Sequence, residues 1–452
     1  MEEDRKIYYK RLKEIALPIS MQNLLASSLS FVDTLMIGQL GVTQIAGVGL
    51  GNQIYFLISL LFFGISSGSA IFISQYWGAE NKDGIQKALG ISLLVSLIAS
   101  SVFAILSIFT PRFLIGLFTD NLPVIKIGSD YLRIVGISYI FSAVSFITST
   151  TMRSTGNTKT PLYISLISLS FNAVFNYLLI FGIWIFPKWG VAGAALSTSV
   201  ARLLEMLLLL ISAHRKNSPA KIVFKKAVLG LKKDFRKVFF KTSLPVILNE
   251  CFWSLGMTVY KVVYAHMGID VLASINISES IQNLFFVFLM SIGNAVAIII
   301  GITIGKKKYQ QAQTYAIWSL QTAIIAGIIF GGLMALFSPI FPRIFNVPEN
   351  INKMTTLSLL FVSLLTPLKS ANMTIIVGIL RSGGDTKFSL FTEMSGVWLV
   401  GVPIAFIAGI ILQLPIYYVL LLTGFEELFK FLVGIPRILK QKWMNDLTEI
   451  QV

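Results

Sequence analysis

Ile15 to Gln39, IALPISMQNLLASSLSFVDTLMIGQ, is a run in which every side chain but Asp33 is apolar or small and neutral. About 20 residues at about 1.5 Å rise cover a hydrocarbon core of roughly 30 Å, so the run reads as a membrane-crossing helix. Backbone groups in lipid must be satisfied internally, and that restricts a chain built from such runs to helices or a closed barrel. A carboxylate inside a crossing helix costs on the order of 2.5–3.5 kcal/mol to insert, and it usually faces a cavity, a cation or a partner.

Eleven more apolar runs follow. The twelve spans are expected near 15–39, 45–73, 88–110, 125–150, 161–186, 190–213, 238–265, 270–304, 312–338, 355–379, 389–412 and 414–436. Composition agrees, with 55% hydrophobic residues, 13% charged and a mean hydropathy of +0.77. Soluble chains carry about 25% charged residues. The net charge of +16 is not spread evenly. Assigning loops alternately places 28 Lys and Arg, Lys430 near the end of the last span among them, on the side of the N-terminus and 5 on the other. This excess predicts both termini in the cytoplasm, and an odd number of spans would scramble it. The first span exceeds a signal-peptide core and is expected to stay uncleaved. Cys251, alone of its kind, sits in an apolar run and forms no intrachain disulfide.

The spans fall into two similar halves. Pro18 and Pro245, Gly41 and Gly268, Ala46 and Ala273, and Gly78 and Gly305 all share one sequence offset. MRSTGNTKTP from Met152 is echoed by LRSGGDTKFS from Leu380. The pattern is an internal duplication. Six spans per half is an even number, so the repeat is parallel, with its pseudo-two-fold along the membrane normal. The expected architecture is all-α: two six-helix bundles, 15–213 and 238–436. A cytoplasmic N-terminus precedes them at 1–14, a linker joins them at 214–237, and a cytoplasmic tail follows at 437–452. The linker is basic and amphipathic and is expected to lie on anionic headgroups. It brings no aromatic platform for nucleic acid, and none is expected as a partner.

The chemistry is expected around Asp33. Ser165, Ser168, Asn172 and Asn176 are spaced by three, four and four, on one face of span 5. Ser197 and Thr198 enter span 6. A carboxylate, amide carbonyls and a hydroxyl form a hard-oxygen shell suited to Na⁺, and the same carboxylate could take a proton. The plainer alternative is interhelical hydrogen bonding. The stripe has no copy in the second half, where Asp33 aligns with Tyr260 and the two asparagines with Val400 and Ile404. There Glu250, with Lys261 eleven residues on, is the candidate for substrate attraction or coupling, with Tyr260 beside them. An internal Glu250–Lys261 pair is the alternative, across roughly 16 Å of helix. Arg202 and Glu205, three apart, are expected to pair with each other.

Two motif matches fail on context. Gly64-Ile-Ser-Ser-Gly68 lies inside a span, not at a strand–helix turn. Gly301-Ile-Thr-Ile-Gly305-Lys306 is one residue short of a phosphate loop. With His214 and His266 the only histidines, no histidine metal cluster is available, and no catalytic domain or cofactor is expected. Transport energy would come from an ion gradient.

The chain resembles the multidrug and toxic compound extrusion (MATE) transporters over nearly its whole length. The resemblance rests on Pro18-xxxx-Asn23 with Val32-Asp-Thr-Leu-Met-Ile-Gly38, and on Gly68-Ser-Ala with Gln75-Tyr-Trp-Gly-Ala79. It rests also on Arg153-Ser-Thr-Gly-Asn-Thr, on Asn172-Ala-Val-Phe-Asn176-Tyr-Leu-Leu-Ile-Phe-Gly182, and on Gly190-Val-Ala-Gly-Ala-Ala. It implies Na⁺- or H⁺-coupled antiport of organic, often cationic, drug-like compounds. The location expected is the plasma membrane, and the expected state a monomer in contact with membrane lipids. The resemblance also implies a cation site at Asp33, Asn172, Asn176 and Thr198, and an acidic coupling position at Glu250. Ser370 stands where several members carry Asp, and Asn176 where another branch does. A lipid-linked oligosaccharide flippase of the same superfamily is the nearest alternative, and a lipid-modifying membrane enzyme the alternative from another class.

Overall fold

The computed structural model describes residues 2–215, 218–345 and 347–449. Among them the chain is helical throughout, and the only β-type contact is an isolated bridge between Gly384 and Met444. The helices are α1 (Glu2–Gly38), α2 (Val42–Gly78), α3 (Lys82–Phe109), the short α4 (Pro111–Gly116), α5 (Leu122–Val135), α6 (Ser138–Ser154), α7 (Lys159–Phe181), α8 (Val191–Ala213) and the short α9 (Phe224–Val228). Then come α10 (Lys233–Met267), α11 (Ile269–Gly305), α12 (Tyr309–Phe337), α13 (Glu349–Met373), α14 (Thr386–Met394), α15 (Val402–Phe406) and α16 (Ile416–Leu439). Three wider π-helical segments, Thr374–Arg381, Ser395–Gly401 and Ile407–Ile411, continue α13, α14 and α15.

Each expected span has a helical counterpart, with differences that have physical causes. Nine helical stretches among the described residues are long and apolar enough to cross a membrane. A tenth is formed if α5 and α6, bent by 53°, count as one. Neither α10 nor α16 is among the nine; these helices carry Glu250 and Lys261, and Glu426, Glu427 and Lys430. The protein is therefore a multi-pass membrane protein. On α12, Ile325, Ile328, Ile329 and Leu336 are all more than half exposed along one side, a surface suited to lipid. The opposite side, with Ala316, Ser319 and Ala323 fully buried, uses small residues that let backbones approach.

The chain divides into two compact units. One takes the residues up to Ser20, Ser74–Glu80 and the chain from Lys241 onward; the other takes Met21–Ile73 and Asn81–Phe240. In the latter, the basic linker packs on the start of α3. Gln86 accepts from the Val223 N–H (2.9 Å) and donates to the Lys221 carbonyl (2.7 Å), and Lys226 reaches Asp83 at 2.6 Å. Ala220 and Ala227 are buried beneath it, while Lys221 and Lys225 face outward.

In the other unit the repeat-related glycines meet. A Cβ on Gly78 would lie 3.1 Å from the Gly305 Cα and inside contact of the Ile302 carbonyl, and one on Gly305 would run into the Gln75 carbonyl. The ends of α2 and α11 thus cross backbone to backbone. Gly305→Ala is expected to cost about 1–3 kcal/mol, because the blocking atoms are backbone and cannot swing away. Thermal unfolding of the purified protein checks this, and an unchanged midpoint would remove the crossing as a stability element. The Gly41 and Gly268 pair, with φ of +129° and +134°, makes matching left-handed turns after α1 and α10.

The tail does not hang free in this unit. Trp443 is fully buried and donates from Nε1 to Gln313 Oε1 (3.0 Å). Gln75 accepts from the Leu447 N–H (2.8 Å) and donates to the Ser382 carbonyl (2.9 Å), which ties the tail to the second Arg-Ser-x-Gly loop. Lys307 pairs with Glu449 at 2.8 Å, and that carboxylate raises the lysine's pKa.

Candidate functional site

Asp33 lies late in α1, partly buried, on the wall of a cavity of about 480 Å³ inside the unit formed by Met21–Ile73 and Asn81–Phe240. The stripe on α7 does what its spacing predicts: all four members turn inward and are buried. Asn176 Nδ2 donates to Asp33 Oδ1 at 2.7 Å. The Asn172 amide, oriented by its neighbours, donates to Asp33 Oδ2 at 3.0 Å and accepts from the Thr198 N–H at 3.2 Å. Asp33, Asn172, Asn176 and Thr198 are therefore one constellation. Its chemistry differs from the expected oxygen shell in one respect. The asparagines present N–H donors to the carboxylate, and Thr198 contributes its backbone N–H in place of its hydroxyl. A carboxylate can only accept, so it takes the donor end of each amide. Asn176 Oδ1 is buried and has no hydrogen-bond donor among the described residues.

Below this pair the stripe fastens α7 to α8. Ser197 Oγ donates to the Asn172 carbonyl (3.0 Å) and Ser168 Oγ to the Ala201 carbonyl (2.6 Å). Ser165 Oγ donates to Glu205 Oε1 (3.0 Å) and accepts from Gln22 (2.7 Å). Arg202 and Glu205 do pair, at 3.8 Å, and the Arg202 guanidinium also stacks over Tyr55 at 5.0 Å. The cavity is lined by Asp33, Arg153, Arg202 and Glu205, two acids and two bases, with Tyr55 and Tyr131 between them. Among the described residues no three His, Cys, Asp or Glu come together as a metal centre. A lone carboxylate with neutral amides suits a monovalent cation or a proton better than a divalent metal.

The second-half candidates are dispersed by the structure. Glu250 does not face Lys261. It is buried and pairs with Arg381 at 2.7 Å, itself 3% exposed at the end of the π segment Thr374–Arg381. Lys261 pairs with Glu279 at 2.9 Å near the surface of its unit. Three helical turns separate Glu250 and Lys261, too far for one pair, and each took a nearer partner. Tyr260 is hydrogen-bonded to Glu426. Lys430, which the loop assignment places among the cytoplasmic cations, is a buried residue of α16 paired with Glu426 and Glu393. The clue in the sequence was the spacing of four between Glu426 and Lys430 inside an apolar run.

The MatE family model matches twice, at residues 18–178 and 245–407. The chain belongs to the MatE family. The two matches begin at Pro18 and Pro245, the same prolines that open the two halves of the internal repeat. Among curated relatives, the uncharacterized transporter YisQ of Bacillus subtilis (strain 168) is 29% identical over 87% of this chain and 86% of its own length. The probable multidrug resistance protein NorM of Bacillus thuringiensis subsp. konkukian is 24% identical over 88% of this chain and 89% of its own. Among solved structures, a MATE crystal structure in the bent conformation superposes with a TM-score of 0.86 at 18% identity, covering 96% of each chain. This MatE protein is thus a membrane transporter with the fold of the MATE structures.

Proposed function

We propose that the protein is a secondary antiporter of organic, often cationic and amphiphilic compounds. It would span the plasma membrane twelve times in two six-helix bundles, with both termini in the cytoplasm, and be driven by Na⁺ or H⁺. The observation that carries this reading is the double hold on Asp33, one asparagine donor to each carboxylate oxygen at the cavity wall. A cation or proton arriving at that carboxylate must compete with both donors. Its binding releases Asn172 and Asn176 from Asp33, and each asparagine sits on α7, which is fastened to α8 by its own backbone-directed bonds. Ion occupancy is thereby transmitted to the packing of two helices that line the cavity, which is the kind of linkage alternating access requires. The name of the NorM relative as a probable multidrug resistance protein supports the substrate class.

Efflux of a fluorescent cationic dye from proteoliposomes tests this, with Na⁺ and pH gradients imposed separately. Acceleration by at least one gradient is expected. Equal efflux with and without both gradients would overturn coupled antiport. The identity of the effective gradient distinguishes a metal-cation role for Asp33 from a proton role.

A further inference from the structure

Far along the chain from Asp33, the unit that starts again at Lys241 contains a second set of buried charges. Lys430 of α16 is 4% exposed, and its Nζ lies 2.5 Å from Glu426 Oε1 and 2.8 Å from Glu393 Oε1. Tyr260 of α10 is hydrogen-bonded to the other oxygen of Glu426. Glu427, next along α16, accepts from Asn372 Nδ2 at 2.7 Å and lies in the field of Lys369, one turn before Asn372 on α13. The π segment Ser395–Gly401 forms a floor for this set: a Cβ on Gly396 would sit 2.7 Å from Lys430 Cγ and Cε, and one on Gly401 would strike the Tyr260 hydroxyl and Glu426. Widened π turns of this kind recur at functional sites.

We propose that this cluster is a proton-binding site, with one exchangeable proton seated on Glu426. The groups turned toward it from the neighbouring elements are Tyr260 and Tyr264 of α10, Lys369 of α13 and Glu393 of α14. On α16 itself they are Glu427 and Lys430. The π segments and α15 bring no further ionisable group to it, since Arg381 is engaged by Glu250. Three carboxylates against two ammonium groups leave one negative charge inside a membrane protein, an expensive state that one bound proton neutralises. Glu426 is the seat because it is 5% exposed, shares its lysine with Glu393, and has as its other partner the Tyr260 hydroxyl, which can turn to accept from a protonated carboxyl, whereas Glu427 is held by an amide N–H that can only donate. A metal ion does not fit, because the Lys430 ammonium already occupies the point between the carboxylate oxygens.

The site stands independently of the role given to Asp33, and the test keeps the two apart. The probe is the proton itself, read by infrared difference spectroscopy of the full-length protein in lipid at neutral pH. The expected result is a protonated-carboxyl stretching band that is lost in Glu426→Gln and kept in Asp33→Asn. Lys430→Met, which removes one ammonium, should roughly double it, since a second carboxylate then lacks compensation. Should Glu426→Gln not fold, Tyr260→Phe should still shift the band by removing its hydrogen bond. A band unchanged in Glu426→Gln, or one that sodium abolishes at constant pH, would overturn the proposal.

Discussion

Asp33→Asn is expected to reduce gradient-driven efflux to near background while leaving the protein folded and able to bind dye. Asn matches Asp in shape and keeps one acceptor oxygen, so one of the two amide contacts survives. The other, a hydrogen bond to a charged group worth about 1.5–3 kcal/mol, is lost. More important is the loss of the charge. A site whose remaining ligands are neutral amides has no electrostatic hold on a monovalent cation and no proton to exchange. The lost charge is expected to weaken coupling-ion affinity by about tenfold or more, which is about 1.4 kcal/mol. The readout is the ratio of gradient-driven to gradient-free efflux in proteoliposomes, alongside equilibrium dye binding. Full coupled efflux by the variant would remove Asp33 from the mechanism. Loss of dye binding together with efflux would make it a substrate contact.

The first half of this site was legible because it obeys helical geometry. Ser165, Ser168, Asn172 and Asn176 follow the period of a single helix, and Asp33 was conspicuous as the one charge in a run long enough to cross a membrane. The duplication was legible for a similar reason. Gly41 and Gly268 need left-handed backbone, and Gly78 and Gly305 sit at a crossing with no room for Cβ, so glycine is required at both members of each pair. What sequence spacing could not give was partner choice across helices. Glu250 and Arg381 lie on helices far apart in the chain, and nothing in the period of either helix links them. The charge-counting that distributes Lys and Arg among loops also works against the second-half cluster. It assigns Lys430 to a membrane face, when the carboxylates of Glu393 and Glu426 hold it inside. The direction in which an amide turns was equally illegible: composition names Asn172 and Asn176, but only the surrounding donors and acceptors decide that their nitrogens face Asp33.

Breaking the Glu250–Arg381 pair from one side is expected to destabilise the protein by about 3–5 kcal/mol, the range for a buried ion pair that loses one partner. In Arg381→Met the apolar side chain fills part of the volume, but Glu250, 8% exposed, is left with an uncompensated charge. In the double variant Arg381→Met with Glu250→Gln the uncompensated charge is gone, and most of the stability should return, because a buried pair replaced as a whole is often close to neutral. The effect reaches beyond α10. Arg381 closes the π segment Thr374–Arg381 and begins the loop whose Ser382 carbonyl accepts from Gln75, the residue that also receives the Leu447 N–H of the tail. Loosening Arg381 should therefore expose the tail to protease before the helices unfold. Thermal unfolding of the wild type, Arg381→Met, Glu250→Gln and the double variant gives the cycle, and limited proteolysis reports on the tail. If Arg381→Met unfolds at the wild-type temperature, the pair is not a structural tie, and Glu250 is then free to act as the coupling carboxylate that the family resemblance implies.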